Sequence, residues 1–352
     1  MLVLSNNGKI LHLLGWDKKF VPPFIDFTRE NFESDQHLFL IYGPIHDGTL
    51  LEGPDLTYYY YPSLLKELPA LLGQIRRARK VILHGLFSAH LYYALALQPW
   101  VLKKCYWAIW GGDLYTHNAE IKDWRWHKSE WFRRFVISRL GHCISHIKGD
   151  YDLARQWYGA KGKWHECLLY PNNVYKPCSI SPKRFEGANI LVGNSASSTN
   201  HHFEALEILR PFAGENIRVY CPLSYGDKNY ADRVARAGKA MFGDKFIALR
   251  EFMPFEQYLR FLAEIDIAVF NHYRQQGVCN ITALLGLGVK VYVRTGITTK
   301  SFFDGLNVRL FDIAEINLDK LSEHEQKHNL KVISNTFTAK RLTDQWSRIY
   351  ES

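Results

Sequence analysis

The sequence predicts an α/β protein built as two doubly wound domains. Three observations carry this reading. Short apolar runs recur between stretches of helical periodicity. A proline-rich segment interrupts the chain near its middle. A length of 352 residues is more than one ordinary domain holds. In the first half the runs Lys9–Gly15, His37–Gly43, Lys80–Leu86, Cys105–Trp110, His142–Ile147 and Cys167–Tyr170 read as strands. In the second half they are Asn189–Gly193, Arg218–Pro222, Phe246–Arg250, Asp266–Asn271, Lys290–Arg294 and Val308–Phe311. Pro171, Pro177 and Pro182, with small polar residues between them, mark a linker. The expected layout is a first domain over residues 1–172, a linker over 173–186 and a second domain over 187–335. A C-terminal helix over 336–352, apolar at Phe337, Leu342, Trp346 and Ile349, is expected to pack back on the first domain.

Composition narrows the class. A hydrophobic fraction of 47% with 14% aromatics is enough for packed cores and excludes a disordered chain. The six cysteines are scattered, with no CxxC pair, which argues against a disulfide framework or a zinc site and for a reducing cytoplasm. The N-terminus lacks the pattern of a signal peptide. The apolar stretches Leu91–Leu102 and Ile281–Val293 are broken by Gln98-Pro99 and by Lys290, short of the roughly 18–20 residues a bilayer span needs. A soluble or peripherally attached protein is expected. The net charge of +9 points to anionic lipid or a phosphorylated substrate, because no nucleic-acid module pattern is present.

In doubly wound sheets, ligands bind outside the carboxyl ends of the strands. The most informative of these ends is Gly193-Asn194-Ser195-Ala196-Ser197-Ser198-Thr199-Asn200-His201-His202, lying between an apolar strand and a helical pattern with Phe203, Leu206 and Leu209. One helix cap needs one small polar residue, and here six crowd together. Backbone N–H groups and hydroxyls at the positive end of a helix suit a phosphate. The loop is neither a P-loop nor a dinucleotide G-x-G-x-x-G fingerprint. Tyr225-Gly226 and Arg274-Gln275-Gln276-Gly277 end neighbouring strands, with Arg274 a candidate diphosphate clamp.

The first half offers His84-Gly85 and Trp110-Gly111-Gly112-Asp113. Asp113 is the candidate general base for a sugar hydroxyl and His84 its rival; a turn with an Asp cap is the plainer reading. Asp150-Tyr151-Asp152 spells the D-x-D of some metal-dependent glycosyltransferases, but helix-capping carboxylates explain it more simply. No metal or cofactor is expected. Lys122–Val136 mixes basic and aromatic residues at helical spacing, which suits an anionic membrane surface or an ordinary helix with an aromatic core stripe. Arg76, Arg77, Arg79 and Lys80 would extend that basic face.

Taken together, His84-Gly85, Trp107–Tyr115, Ile190–Ser195 and Arg274–Gly277 resemble the 4-alpha-L-fucosyltransferase family, glycosyltransferase family 56. The resemblance runs over roughly residues 80–295. It implies a GT-B architecture, two Rossmann-like domains facing an interdomain cleft, with the donor on the second and the acceptor on the first. It further implies transfer of a 4-acetamido-4,6-dideoxyhexose from a dTDP-sugar to an undecaprenyl-diphosphate-linked saccharide of enterobacterial common antigen, at the cytoplasmic face of the inner membrane. By position, Gly193, Asn194 and Ser195 would contact the diphosphate and Arg274, Gln275, Gln276 and Gly277 the nucleotide-sugar, and Ser198, Thr199 and Tyr225 complete the candidate donor-binding set. Gly85, Trp110, Gly111 and Gly112 would line the acceptor side.

Two departures concern the donor sugar. Gly277-Val278-Cys279-Asn280 stands where a Gly-x-Gly-Thr turn is expected, and Ala283 where many GT-B enzymes carry a ribose-binding Glu. The alternatives are another GT-B transferase of O-antigen or capsule synthesis, an epimerase-like GT-B protein, and a non-enzymatic nucleotide-sugar sensor. Release of dTDP only on addition of acceptor would separate the transferase from the others.

Overall fold

The computed structural model describes residues 8–43, 51–59, 64–178 and 185–352. The chain forms two compact units, Met1–Asn172 with Ala339–Ser352, and Asn173–Thr338. Of the expected linker, residues 179–184 lie outside the described residues, while Asn173–Cys178 belong to the second unit.

The first unit carries a seven-stranded sheet, every described pairing parallel. Its strands are β1 (Ile10–Gly15), β2 (His37–Tyr42), β3 (Leu56–Tyr59), β4 (Lys80–His84), β5 (Cys105–Ala108), β6 (His142–Ser145) and β7 (Lys163–Glu166). They are ordered β3-β2-β1-β4-β5-β6-β7. β1 is central and buried from Ile10 to Leu14, as a parallel strand covered on both faces requires. Six helices flank it: Val21–Asn31, Leu64–Arg77, Ala89–Ala96, Trp124–Ile137, Lys148–Tyr158 and Ala339–Glu351.

The second unit carries β8 (Ala188–Val192), β9 (Ile217–Pro222), β10 (Phe246–Leu249), β11 (Ile267–Phe270), β12 (Lys290–Val293) and β13 (Phe311–Asp312). These six pair in parallel in the order β10-β9-β8-β11-β12-β13. Their helices are His202–Leu209, Lys228–Phe242, Phe255–Leu262, Val278–Gly286, Thr298–Gly305 and Glu323–Thr336. Each unit buries its own apolar cluster, around Leu13, Leu83 and Trp107 in one and Ile190, Val219 and Val269 in the other. Cys105, Cys143, Cys167 and Cys221 are buried, and no disulfide joins any of the six cysteines.

Three strand expectations need correction. β3 was not anticipated, because a four-residue strand after Gly53-Pro54-Asp55 has too little apolar length to stand out. Cys167–Tyr170 is buried but is no strand: the ladder ends at Glu166, and Leu169 takes a left-handed φ of 69°. The true last strand, Lys163-Trp164-His165-Glu166, is a polar edge without an apolar signature. The final strand is Phe311–Asp312 rather than Val308–Phe311. Val308 and Leu310 are buried without pairing in the sheet.

The helix Ala339–Glu351 returns to the first unit with Leu342, Trp346 and Ile349 buried. Trp346 Nε1 donates to the Leu169 carbonyl at 2.9 Å, and Gln345 Oε1 accepts from the Leu168 N–H at 2.9 Å. Lys80, expected on a basic surface, is turned inward instead. Its ammonium donates to the carbonyls of Ile349 and Tyr350 at 2.9 Å each, and to that of Ser352. A cation over the last turn neutralises the negative helix end and satisfies carbonyls that the helix leaves unpaired.

Replacing Lys80 with Met would leave those carbonyls without their donor. We expect about 2 kcal/mol of lost stability, a fall of roughly 4–8 °C in Tm for a unit of this size. Thermal unfolding followed by circular dichroism measures it; an unchanged Tm would contradict the anchoring role.

Candidate active site

In the second unit the strand order reverses between β8 and β11, which opens a crevice at their carboxyl ends. The loop Gly193–His201 leaves β8 into this crevice, and Asn271–Gly277 leaves β11. Gly193 has φ 70°, and a Cβ there would lie 2.6 Å from His202 Nε2 and 2.8 Å from Asn200 Oδ1. Only glycine fits that turn.

Asn200, fully buried, ties the crevice together. Its Oδ1 accepts from the Asn194 N–H at 2.9 Å and from His272 Nε2 at 3.0 Å. Its Nδ2 donates to the carbonyls of Ser195 and Ser197 and to Ser195 Oγ, at 3.1–3.2 Å. Burial and the nearby Arg274 cation lower the His272 pKa to about 3, so the ring is neutral and carries its proton on Nε2. The two loops also meet directly. Thr199 Oγ1 donates to Gln276 Oε1 at 2.8 Å, and Gln276 Nε2 donates to Asn194 Oδ1 at 3.4 Å. On the other side, Ala196 exchanges backbone bonds with the Tyr225 carbonyl and the Asp227 N–H, at 2.8 and 2.9 Å. A pocket of about 180 Å³ lies there, lined by Ala196, Tyr225, Lys228 and Arg250 among others.

The structure therefore gathers Gly193, Asn194, Ser195, Ser198, Thr199, Tyr225, Gln276 and Gly277 along one sheet edge. It also changes how the β8 loop presents donors. The amides of Gly193, Asn194 and Ala196 are already bonded to Val269, Asn200 and Tyr225. The helix starts only at His202, after a 3-10 turn over Ser198–Asn200. The face of that helix also differs: Ala205, Leu206 and Leu209 are buried, while Phe203 is exposed. With the Thr199 hydroxyl donating to Gln276 and the Ser197 hydroxyl to Thr199 Oγ1 at 2.9 Å, donors from this loop come from the Ser195 and Ser198 hydroxyls and the remaining amides of the Ser195–Thr199 segment. Arg274 donates to the Gln275 carbonyl at 2.9 Å.

A neighbouring cluster went unread in the sequence. Glu204 accepts from Arg294, from Asn271 Nδ2 at 3.1 Å and from Tyr273 at 3.3 Å, and the Arg294 guanidinium lies 3.9 Å from the Tyr273 ring centre. Burial pushes the Glu204 carboxyl up, but its bonds to Arg294 and Asn271 outweigh this and hold it below the usual range. Arg294 at a strand end was the available signal.

In the first unit the order reverses between β1 and β4. Here both catalytic expectations need correction. Asp113 does not project outward. It is fully buried, and its carboxylate accepts four N–H groups: Leu86 at 2.9 Å, Trp107 Nε1 at 2.7 Å, and Trp110 and Leu114 at 3.0 Å each. A carboxylate so engaged binds loops together and has no open lone pair for a substrate proton.

His84 is equally closed. Its Nδ1 is 2.7 Å from the Tyr170 hydroxyl and its Nε2 is 3.1 Å from His12 Nδ1, and burial lowers its pKa to about 3. Arg133, unflagged in the sequence, donates to the carbonyls of Leu86 at 2.6 Å and of Asp113, clamping the same two loops. Its spacing with Glu130, Val136 and Ile137, all buried on one helix face, was the available clue. What the crevice presents is aromatic. Trp110 lies 5.0 Å from Phe20 and 5.8 Å from the half-exposed Phe87, ring centre to ring centre, beside Gly85 and Gly111 at left-handed φ values.

The D-x-D carboxylates separate: Asp150 is buried in the first turn of its helix, and Asp152 pairs with Lys148 at 2.8 Å. Among the described residues no three His, Cys, Asp or Glu side chains group as metal ligands.

The profile of the family described as 4-alpha-L-fucosyltransferase, glycosyl transferase group 56, matches residues 29–351, nearly the whole chain. The chain belongs to this family. It is thus a glycosyltransferase of group 56, and its fold is the GT-B fold. Among solved structures, HepE from Anabaena superposes with a TM-score of 0.70 at 12% identity, over 98% of this chain and 100% of that one; it was solved with UDP and glucose. Sucrose-phosphate synthase from Thermosynechococcus elongatus gives 0.66 at 8% identity, covering 98% of each. The trehalose 6-phosphate synthase of Burkholderia multivorans gives 0.61 at 8%, over 98% and 96%. At these identities the likeness concerns the fold.

For this group 56 transferase, Gly193→Ala should lower affinity for a nucleoside diphosphate at least tenfold. Gly305→Ala, at a helix end with nothing within 4 Å of the new Cβ, should leave it unchanged. Calorimetric titration with dTDP distinguishes them, and equal affinities would remove the β8 loop from the donor site.

Proposed function

We propose that this glycosyltransferase uses a nucleotide-sugar whose diphosphate sits on the Ser195–Thr199 segment, and that the donor is a dTDP-linked 4-acetamido-4,6-dideoxyhexose. The observation that carries the reading is the crevice at β8 and β11. A glycine-dependent turn, a run of hydroxyls and Arg274 meet there at the topological switch point. Transfer breaks the bond from the sugar's anomeric carbon to the diphosphate and forms one to an acceptor hydroxyl, whose proton passes to solvent. Negative charge grows on the departing diphosphate. Donors held rigid before the reaction stabilise that charge without reorganising, which is where such sites gain most of their rate. HepE, bound to UDP and glucose, supports a nucleotide-sugar on this fold.

The acceptor side rests on the first unit, where Trp110, Phe20 and Phe87 offer aromatic surface to a sugar ring. The acceptor in this reading is an undecaprenyl-diphosphate-linked saccharide of enterobacterial common antigen, met at the cytoplasmic face of the inner membrane. No helix of the described residues is long and apolar enough to cross a bilayer. The helix Trp124–Ile137 supports peripheral attachment. Ile121, Trp124 and Trp131 are exposed at 80%, 69% and 62%, interleaved with exposed Arg125, Lys128 and Arg134. Aromatic rings at the headgroup boundary and cations on anionic lipid are the two contacts such a face makes.

The test is transfer of radiolabelled sugar from the dTDP donor to membranes carrying the lipid-linked acceptor. Label should enter the lipid fraction, with or without EDTA. No transfer from the dTDP donor alongside efficient transfer from a UDP-sugar would overturn the donor assignment. Loss of activity in EDTA would overturn the metal-free mechanism.

A further inference from the structure

A row of hydrogen-bonded side chains runs through the first unit from one end of the sheet to the other. Trp110 Nε1 donates to the Tyr170 hydroxyl at 2.7 Å. Tyr170 is 2.7 Å from His84 Nδ1, His84 Nε2 is 3.1 Å from His12 Nδ1, and His12 Nε2 is 3.0 Å from His37 Nδ1. His12, His84, His37 and Tyr170 are all buried. Rings of the C-terminal helix close over them: Trp346 stacks 6.1 Å from His84, and Tyr350 stands 4.6 Å from His37.

The direction of the row follows from its first member. An indole N–H can only donate, so the Tyr170 oxygen accepts there and its own proton goes to His84 Nδ1. His84 then carries its proton on Nε2 and gives it to His12, which does the same toward His37. The opposite direction leaves the Tyr170 proton without an acceptor. Burial lowers the pKa of His84 to about 3, of His37 to about 4 and of His12 well below its usual value, so the three rings are neutral and each has one donor and one acceptor. Each of the four bonds from Trp110 to His37 Nδ1 has one donor and one acceptor in one arrangement only. The donor-only indole also closes the row at the crevice, so it takes no proton from a substrate there.

We infer that Tyr170 is a positioning residue for the acceptor: backed by His84, His12 and His37, its hydroxyl holds the Trp110 indole in the orientation that stacks on the acceptor's sugar ring. This rests on the reading of the first unit as the acceptor side. Without the Tyr170 oxygen the indole keeps its edge contacts with Phe20 and Phe87 but loses its one directional bond in the row.

Tyr170→Phe removes that oxygen and little volume. Acceptor KM should rise roughly three- to tenfold, the worth of one buried hydrogen bond, with donor KM unchanged. Trp110→Phe should give a similar rise. The double variant should be no worse than Trp110→Phe alone, because both substitutions cut the same bond. Additive effects, or a rise in donor KM instead, would overturn the assignment. Nitrogen-15 NMR of the imidazoles, which needs no substrate, separates this from failure of the acceptor reading. His84 and His12 should show protonated Nε2 in the native protein, and Tyr170→Phe should change the His84 pattern. A native His84 protonated on Nδ1 overturns the row whatever the substrate proves to be. The expected tautomers with unchanged acceptor KM in Tyr170→Phe overturn the link to the acceptor.

Discussion

The buried side chain of Asn200 is the constraint on which the crevice at β8 and β11 depends. A loop leaving the end of a parallel strand loses its ladder partners, and its backbone groups need new ones in a place water cannot reach. Asn200 supplies them with a single amide, accepting from Asn194 and His272 and donating to Ser195 and Ser197. That one residue fixes the β8 loop to itself and to the β11 loop. The hydroxyl-bearing segment between Ser195 and Thr199 can then be held ready for an anion.

The first unit solves the same problem with a charge. Asp113 gathers four N–H groups from β5 and from the loops after β4 and β5, and Arg133 caps the carbonyls on the other side. In both units a polar side chain that looks chemically active is consumed in shaping the crevice. The surface left for a ligand is correspondingly different: hydroxyls, a glutamine and an arginine in the second unit, aromatic rings in the first. That division matches a phosphorylated donor and a saccharide acceptor, each held by its own kind of contact.

Much of this was legible in the sequence, and what was not has a physical cause. Buried parallel strands such as Ile10–Leu14 and Ile190–Val192 are continuous apolar runs, so they stand out, as do the glycines that end them. Edge strands do not: Lys163–Glu166 is polar because solvent reaches it. The loops that carry the candidate site were identified from their composition, but the direction of a side chain within a loop is set by tertiary partners. Nothing local in Trp110-Gly111-Gly112-Asp113 says that Asp113 turns inward to meet Leu86 and Trp107. Likewise Lys80 reads as one more surface cation until the last helix arrives to place three carbonyls on it. His84 reads as a free imidazole until His12 and Tyr170 are brought to its two nitrogens by a strand and a loop far away in sequence.

Where the donor's diphosphate lies is measured most directly by a crystal structure of the protein with bound dTDP. The diphosphate is predicted within hydrogen-bonding distance of the Ser195–Thr199 segment, between the ends of β8 and β11. A diphosphate ordered at the carboxyl edge of the first unit, or away from the β8 loop in the second, would contradict it.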